Sequence, residues 1–172
     1  MIAYNMYDAL GRELLADRPR PMCTNTMTTK LKKSVGPYER AEREMSQAKP
    51  SLEKAYSYLI EAQSNFDPRA DYALATWYLH GRFVRRNVRK SIRLLKSACD
   101  GKVPEACFDI AVLYETGVGV KKNPRRAAIY YLKAALLGEK SAANEVARCL
   151  YYGIGFSKDV VQARVWRASM SK

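Results

Sequence analysis

Few residues in this chain are equipped for bond-making chemistry. Its 172 residues include one histidine, His80. A lone imidazole cannot assemble a histidine-based metal cluster and leaves little scope for a Ser–His–Asp arrangement. His80 immediately precedes Gly81, where a helix should end, and there its ring serves as a cation or donor beside the last carbonyls. Gly117-Val118-Gly119 and Gly153-Ile154-Gly155 look like phosphate loops, yet no Lys-Ser or Lys-Thr follows either. The four cysteines are Cys23, Cys99, Cys107 and Cys149. Met1 to Leu10 has no basic leader and carries Asp8, which argues against a secretory signal. A cytoplasmic protein is the expectation, with Cys99 and Cys107 as a pair of buried, reduced thiols. No nucleophile stands with a recognisable base partner, so no catalytic residue, cofactor or metal is expected.

The basic residues carry the strongest order. Thirty Lys and Arg against 17 Asp and Glu leave a net charge of +13. Arg85, Arg86, Arg89 and Lys90 recur 36 residues later as Lys121, Lys122, Arg125 and Arg126. From Arg82 to Lys102 there are eight basic residues and one acid, Asp100. Such charge suits nucleic acid, an anionic membrane or an acidic protein. It equally suits a solvated edge that keeps a helical protein in solution.

The same step of 36 governs the elements that must carry these residues. Gly81, Gly117 and Gly153 keep it, as do Ala70, Ala106 and Ala142, and Leu74, Ile110 and Val146. A period of this size marks a stack of small units, none able to bury its apolar face alone. Asp67-Pro68 and Asn123-Pro124 read as an N-cap followed by Pro at the first helical position, and Pro104 and Pro50 also suit helix starts. Helices are predicted over 51–64, 68–80, 88–100, 104–115, 124–137, 141–152 and 160–169, in a helix-rich region opening near Pro37. Gly101 and Gly138 are predicted as left-handed helix stops. Short joins make consecutive helices antiparallel neighbours. Residues 1–16 read as a short helix with Met6, Leu10 and Leu14 on one side, and 17–36 as a Pro- and Thr-rich basic linker. No run approaches the roughly 18 apolar residues that cross a bilayer.

The clearest unit, Ala106 to Gly138, resembles the Sel-one-like repeat family of tetratricopeptide-type helical repeats. It contains Ala-Val-Leu-Tyr-Glu-Thr-Gly-Val-Gly-Val from Ala111 to Val120, then Arg-Arg-Ala-Ala-Ile-Tyr-Tyr-Leu-Lys-Ala-Ala-Leu-Leu-Gly from Arg125 to Gly138. The first copy departs from the pattern: Phe83 replaces the second loop glycine and Leu94-Leu95 the aromatic pair. Repeats start near 68, 104 and 140, an incomplete earlier unit shows at Lys54-Ala55, Tyr58-Leu59 and Ala62, and the resemblance covers about residues 51–170 within a domain from 37 to 172. It implies an all-α fold, antiparallel helix pairs stacked into a right-handed superhelical solenoid, and a scaffold or adaptor role toward protein partners. Secreted, cysteine-rich members bond cysteines at the spacing of Cys99 and Cys107, and some carry a β-lactamase-like label. Aligned as a repeat, the two cysteines face each other across one turn-back, with Cα atoms within about 7 Å.

The fullest expectation is therefore a non-enzymatic adaptor holding a protein on its concave face, with Tyr72, Tyr78, Phe108 and Tyr151 as lining candidates. The alternative is capture of RNA, DNA or an acidic protein by a ridge of Arg85, Arg86, Arg89, Lys90, Lys121, Lys122, Arg125 and Arg126. A remote third reading is a hydrolase of the cysteine-rich type. Salt separates the first two, because polyanion binding weakens steeply with ionic strength and an apolar groove does not.

Overall fold

The computed structural model describes residues 35–169, and every regular element among them is helical. The order is α1 (Pro37–Met45), α2 (Leu52–Ser64), α3 (Pro68–His80), α4 (Val88–Asp100), α5 (Pro104–Thr116), α6 (Pro124–Leu136), α7 (Lys140–Tyr152) and α8 (Val160–Ser169). The helix expected over 1–16 and the linker up to residue 34 lie outside the described residues.

The even helices all start by one device. Ser51, Asn87, Asn123 and Asp159 stand 36 residues apart. Each side-chain oxygen accepts a hydrogen bond from the amide three residues on: Lys54, Lys90, Arg126 and Gln162. Such a cap satisfies an amide that has no partner inside the helix and contributes about 1 kcal/mol. Pro37, Pro68, Pro104 and Pro124 occupy first-turn positions, where their missing N–H costs nothing. Pro50 does not start α2, because Ser51 behind it takes the cap. Smaller differences are a start of α7 at Lys140, an end of α5 at Thr116 and an end of α6 at Leu136.

The stops hold one surprise. Gly81, Gly117 and Gly153 close α3, α5 and α7 in the left-handed region, with φ of 73°, 83° and 72°. After the even helices the left-handed residue is Phe66, Lys102 or Gly138, again 36 apart. Gly101 is therefore not the left-handed stop expected of it: its φ is −74°. A side chain at Gly101 would overlap the Pro68 ring, so closeness to the start of α3 favours glycine there.

Odd and even helices form two rows. Along the odd row, Arg69 of α3 pairs with Glu39 of α1 at 2.9 Å, Tyr72 of α3 lies beside Asp109 of α5, and Arg148 of α7 pairs with Glu115 of α5. Along the even row, Lys133 of α6 reaches Asp100 of α4 at 3.2 Å. Between the rows, small residues permit close approach: Ala70, Ala106, Ala142, Ala75 and Ala111 are wholly buried. Leu74, Ile110 and Val146 fill the same level in successive units, and Leu95 and Tyr131 close the gaps behind them. At the amino-terminal end, Ala41, Ala55, Leu59 and Ala62 join one cluster with Ala70, Leu74 and Trp77. The unit that looks incomplete in the sequence is thus a full antiparallel pair, α1–α2.

Candidate functional site

The turns between odd and even helices build one continuous edge. A side chain at Gly119 would overlap Val88 and crowd Ile92, and one at Gly155 would overlap the Pro124 backbone. Each turn therefore rests on the start of the preceding unit's even helix. That places Lys121 and Lys122 against the cluster Arg85 to Lys90, and the turn of Lys158 against Arg125 and Arg126. In the first unit Phe83 stands where the glycine would be, at φ 61°. Its ring packs on Tyr56 and Trp77, with centroids 5.5 and 6.1 Å away, and remains 50% exposed.

Seven of the eight ridge residues are exposed and Lys90 is half-buried. Three have work inside the fold. Lys90 donates from Nζ to the Tyr78 hydroxyl at 2.6 Å and sits 4.0 Å from that ring's centroid. Arg126 repeats the arrangement one unit on, with Nη1 3.4 Å from the Tyr114 hydroxyl and its guanidinium 5.6 Å from that ring. Arg86 donates from Nε to the Leu79 carbonyl at 3.0 Å. The side chains of Arg85, Arg89, Lys121, Lys122 and Arg125 make no hydrogen bond or ion pair with a described residue.

The four aromatic candidates separate. Tyr78 is buried, its hydroxyl shared with Tyr56 at 3.0 Å and with Lys90, so it belongs to the core and not to a partner-facing surface. The Lys90 hydrogen bond lowers the Tyr78 phenol below its ordinary pKa, and the bond to Tyr78 raises that of Tyr56 to about 12. Phe108 is half-buried against Tyr131, with centroids 5.4 Å apart. Tyr151 is 48% exposed and lies edge-on to Tyr152. Tyr72 is half-buried in a shallow cleft shared with Tyr38, Pro68, Val103, Pro104 and Glu105. Burial, with Asp109 and Glu105 nearby, pushes its phenol up to about 12. Burial also raises the Asp109 carboxyl, although the Tyr72 hydroxyl and His80 pull it down. His80 itself is exposed at the end of α3.

Cys99 and Cys107 are joined as a disulfide, S–S 2.08 Å, with Cα atoms 4.9 Å apart. The short distance agrees with the repeat alignment, and the expected pair of free thiols is corrected to a bond. Cys149 is free and buried, and burial pushes its thiol up to about 11.

Sequence reasoning missed a second depression, at the last unit, lined by Asn144, Ala147, Arg148, Tyr151, Arg164 and Arg167. One unit earlier, Glu115 takes the place of Tyr151 and receives Arg148 of the next odd helix.

The family model for the Sel1 repeat matches residues 68–103, 104–139 and 140–166. This chain belongs to the Sel1 repeat family. Among curated relatives, Chitin synthase regulatory factor 2 of Schizosaccharomyces pombe is 30% identical over 132 residues, 71% of this chain and 26% of its own length. Activator of C kinase protein 1 of Saccharomyces cerevisiae is 33% identical over 94 residues, 52% of this chain and 15% of its own. This Sel1 repeat chain thus spans about a quarter or less of those relatives. A Sel1 repeat protein from Oxalobacter formigenes superposes with a TM-score of 0.63 at 30% identity, over 66% of this chain and 85% of that one. Cysteine rich protein B of Helicobacter pylori does so with a TM-score of 0.54 at 26% identity, over 73% and 90%. No helix among the described residues of this Sel1 repeat protein is long and apolar enough to cross a membrane.

Proposed function

We propose that this Sel1 repeat protein is a non-enzymatic adaptor that holds a protein segment along its odd-helix row. The observation that carries this reading is the Tyr72 cleft. There Tyr38, Pro68 and Pro104 offer apolar surface beside a phenol, at the junction of three odd helices, α1, α3 and α5. Aromatic side chains set in such recesses are the usual anchors of protein interfaces. The names of the matched relatives, a regulatory factor and an activator, suit a protein that acts through others. The hydrolase reading gains nothing from the three cysteines among the described residues: the buried Cys149 thiol, raised to about 11, is a poor nucleophile, and Cys99 and Cys107 are bonded to each other.

Photo-crosslinking tests the reading. A benzophenone amino acid replacing Tyr72 should give discrete protein adducts in cells. The same group at Glu53, exposed on α2 of the even row, should not. Equal adduct patterns at both positions would remove the odd row as the partner surface.

A further inference from the structure

The distribution of charge on this solenoid has a direction. No Asp or Glu occurs between Asp71 and Asp100, or between Glu115 and Glu139. These two acid-free tracts cover the turn and almost all of the even helix in two successive units. They hold Arg82, Arg85, Arg86, Arg89, Lys90, Arg93 and Lys96 in the first, and Lys121, Lys122, Arg125, Arg126 and Lys133 in the second. The carboxylates Glu105, Asp109 and Glu115 lie instead on odd helix α5.

Three observations separate the ridge from an ordinary solvated edge. Surfaces made only for solubility intersperse both signs, and this one does not. The cations Arg89, Lys90, Arg125 and Arg126 occupy the first turns of α4 and α6, where the helix dipole opposes positive charge. The contact of Gly119 with Val88 and Ile92 shows the two clusters to be physically adjacent, so their repulsion is not relieved by distance. Lys90, Arg126 and Arg86 are explained by their bonds to Tyr78, Tyr114 and Leu79; Arg85, Arg89, Lys121, Lys122 and Arg125 are not. An exposed aromatic stands at the head of this file: half of the Phe83 ring faces solvent while Tyr56 and Trp77 hold it in place.

We propose that the turn edge, Arg85 to Arg89 with Lys121 to Arg125 and Phe83 at its end, binds the phosphate backbone of single-stranded nucleic acid. The five cations whose side chains make no hydrogen bond or ion pair with a described residue supply about five phosphate contacts. Guanidinium forks fit phosphate oxygens in pairs, and Phe83 offers a rigid face for one base. Sequence-independent binding is expected, because ridge cations of this kind address the backbone and not base edges. A membrane surface is disfavoured: among the described residues beside these cations only Phe83 and Val118 present exposed large apolar side chains, far less than an inserting face requires. This inference is independent of the odd-row adaptor reading, since the two surfaces use different elements.

The test is fluorescence anisotropy with a labelled 20-nucleotide RNA of mixed sequence, using the full chain at 50 to 200 mM salt. Five backbone contacts predict a slope of log K against log salt of about −3.5, an affinity loss of about a hundredfold over that range. Replacing Arg85, Arg89, Lys121, Lys122 and Arg125 together by Ser should abolish binding and leave the helical circular dichroism unchanged, because none of the five side chains bonds to a described residue. Exchanging Arg for Lys and Lys for Arg at the same positions should retain binding within a few fold. Phe83→Leu should weaken single-stranded RNA several fold and leave duplex DNA unaffected. The proposal is overturned if wild type and the five-Ser variant bind RNA alike, or if RNA does not bind at 50 mM salt. Tighter binding to phosphatidylserine vesicles or to a poly-glutamate peptide than to RNA would also overturn it.

Discussion

Ser91 gives the sharpest test of how this array is packed. It lies in the interior of α4, 0% exposed, and its hydroxyl has no hydrogen-bond partner among the described residues. The positions 36 residues before, 36 after and 72 after are Ala55, Ala127 and Ala163, all buried. The site is thus built for a methyl group, and Ser91 puts an unsatisfied hydroxyl into it. A buried hydroxyl without a partner costs about 1–3 kcal/mol. Alanine also has the better helix propensity, by roughly 0.5 kcal/mol. Against this, removing one oxygen leaves a void on the order of 15 Å³, which takes back about 0.4 kcal/mol at roughly 24 cal/mol per Å³. Ser91→Ala is therefore expected to stabilise the protein by about 1–3 kcal/mol, and the reverse change Ala127→Ser to destabilise it by a similar amount. Urea titration followed by circular dichroism reads both, and the melting temperature of Ser91→Ala should rise by several degrees. A loss of stability in Ser91→Ala would refute the reasoning, because it would mean that the hydroxyl is satisfied in solution.

Three further outcomes follow from the cysteines and the odd-row carboxylate. Reduction of the Cys99–Cys107 bond, which closes a separation of 8 residues, should lower stability by about 2.5 kcal/mol on the chain-entropy model; equal melting curves with and without reductant would show that the bond does not constrain the unfolded chain. Cys149 should resist iodoacetamide at pH 8 in the native state and react fully in denaturant, because burial keeps it protonated; rapid native alkylation would contradict its burial. The raised Asp109 carboxyl means that the folded state keeps its proton longer than the unfolded chain. This residue's contribution therefore falls as pH rises through the ordinary Asp range of about 4 and levels off above the raised value. Asp109→Asn should then match wild type in strong acid and gain on it toward neutrality, and a constant difference at all pH values would refute the assignment.

Much of the fold was legible in the sequence because the repeat is a local code. A step of 36 residues, Pro at helix starts and Gly81, Gly117 and Gly153 at stops depend on backbone geometry within a few residues, so α3 to α8 could be placed nearly to the residue. The shared caps Ser51, Asn87, Asn123 and Asp159 were also there to be read, and would have announced α2 as a full member of the series. The ridge was visible for the same reason, since recurring charges must share an edge once units stack.

What the tertiary structure alone decided is which copies of a position face what. Tyr78 and Tyr151 were equal candidates in the sequence, yet Tyr78 is sealed by Tyr56 and Lys90 while Tyr151 is open, because Tyr151 stands at the level of Glu115 and not at the buried level shared by Tyr78, Tyr114 and Leu150. Gly101 seemed a backbone stop and is instead shaped by closeness to Pro68 from the other end of its unit. The eight ridge cations are equivalent by period, but their bonds to Tyr78, Tyr114 and Leu79 divide them into three that serve the fold and five whose side chains bond to no described residue. Periodicity determines backbone placement because it acts through local geometry. Burial and pairing depend on atoms brought together from distant parts of the chain, and only the folded array brings them there.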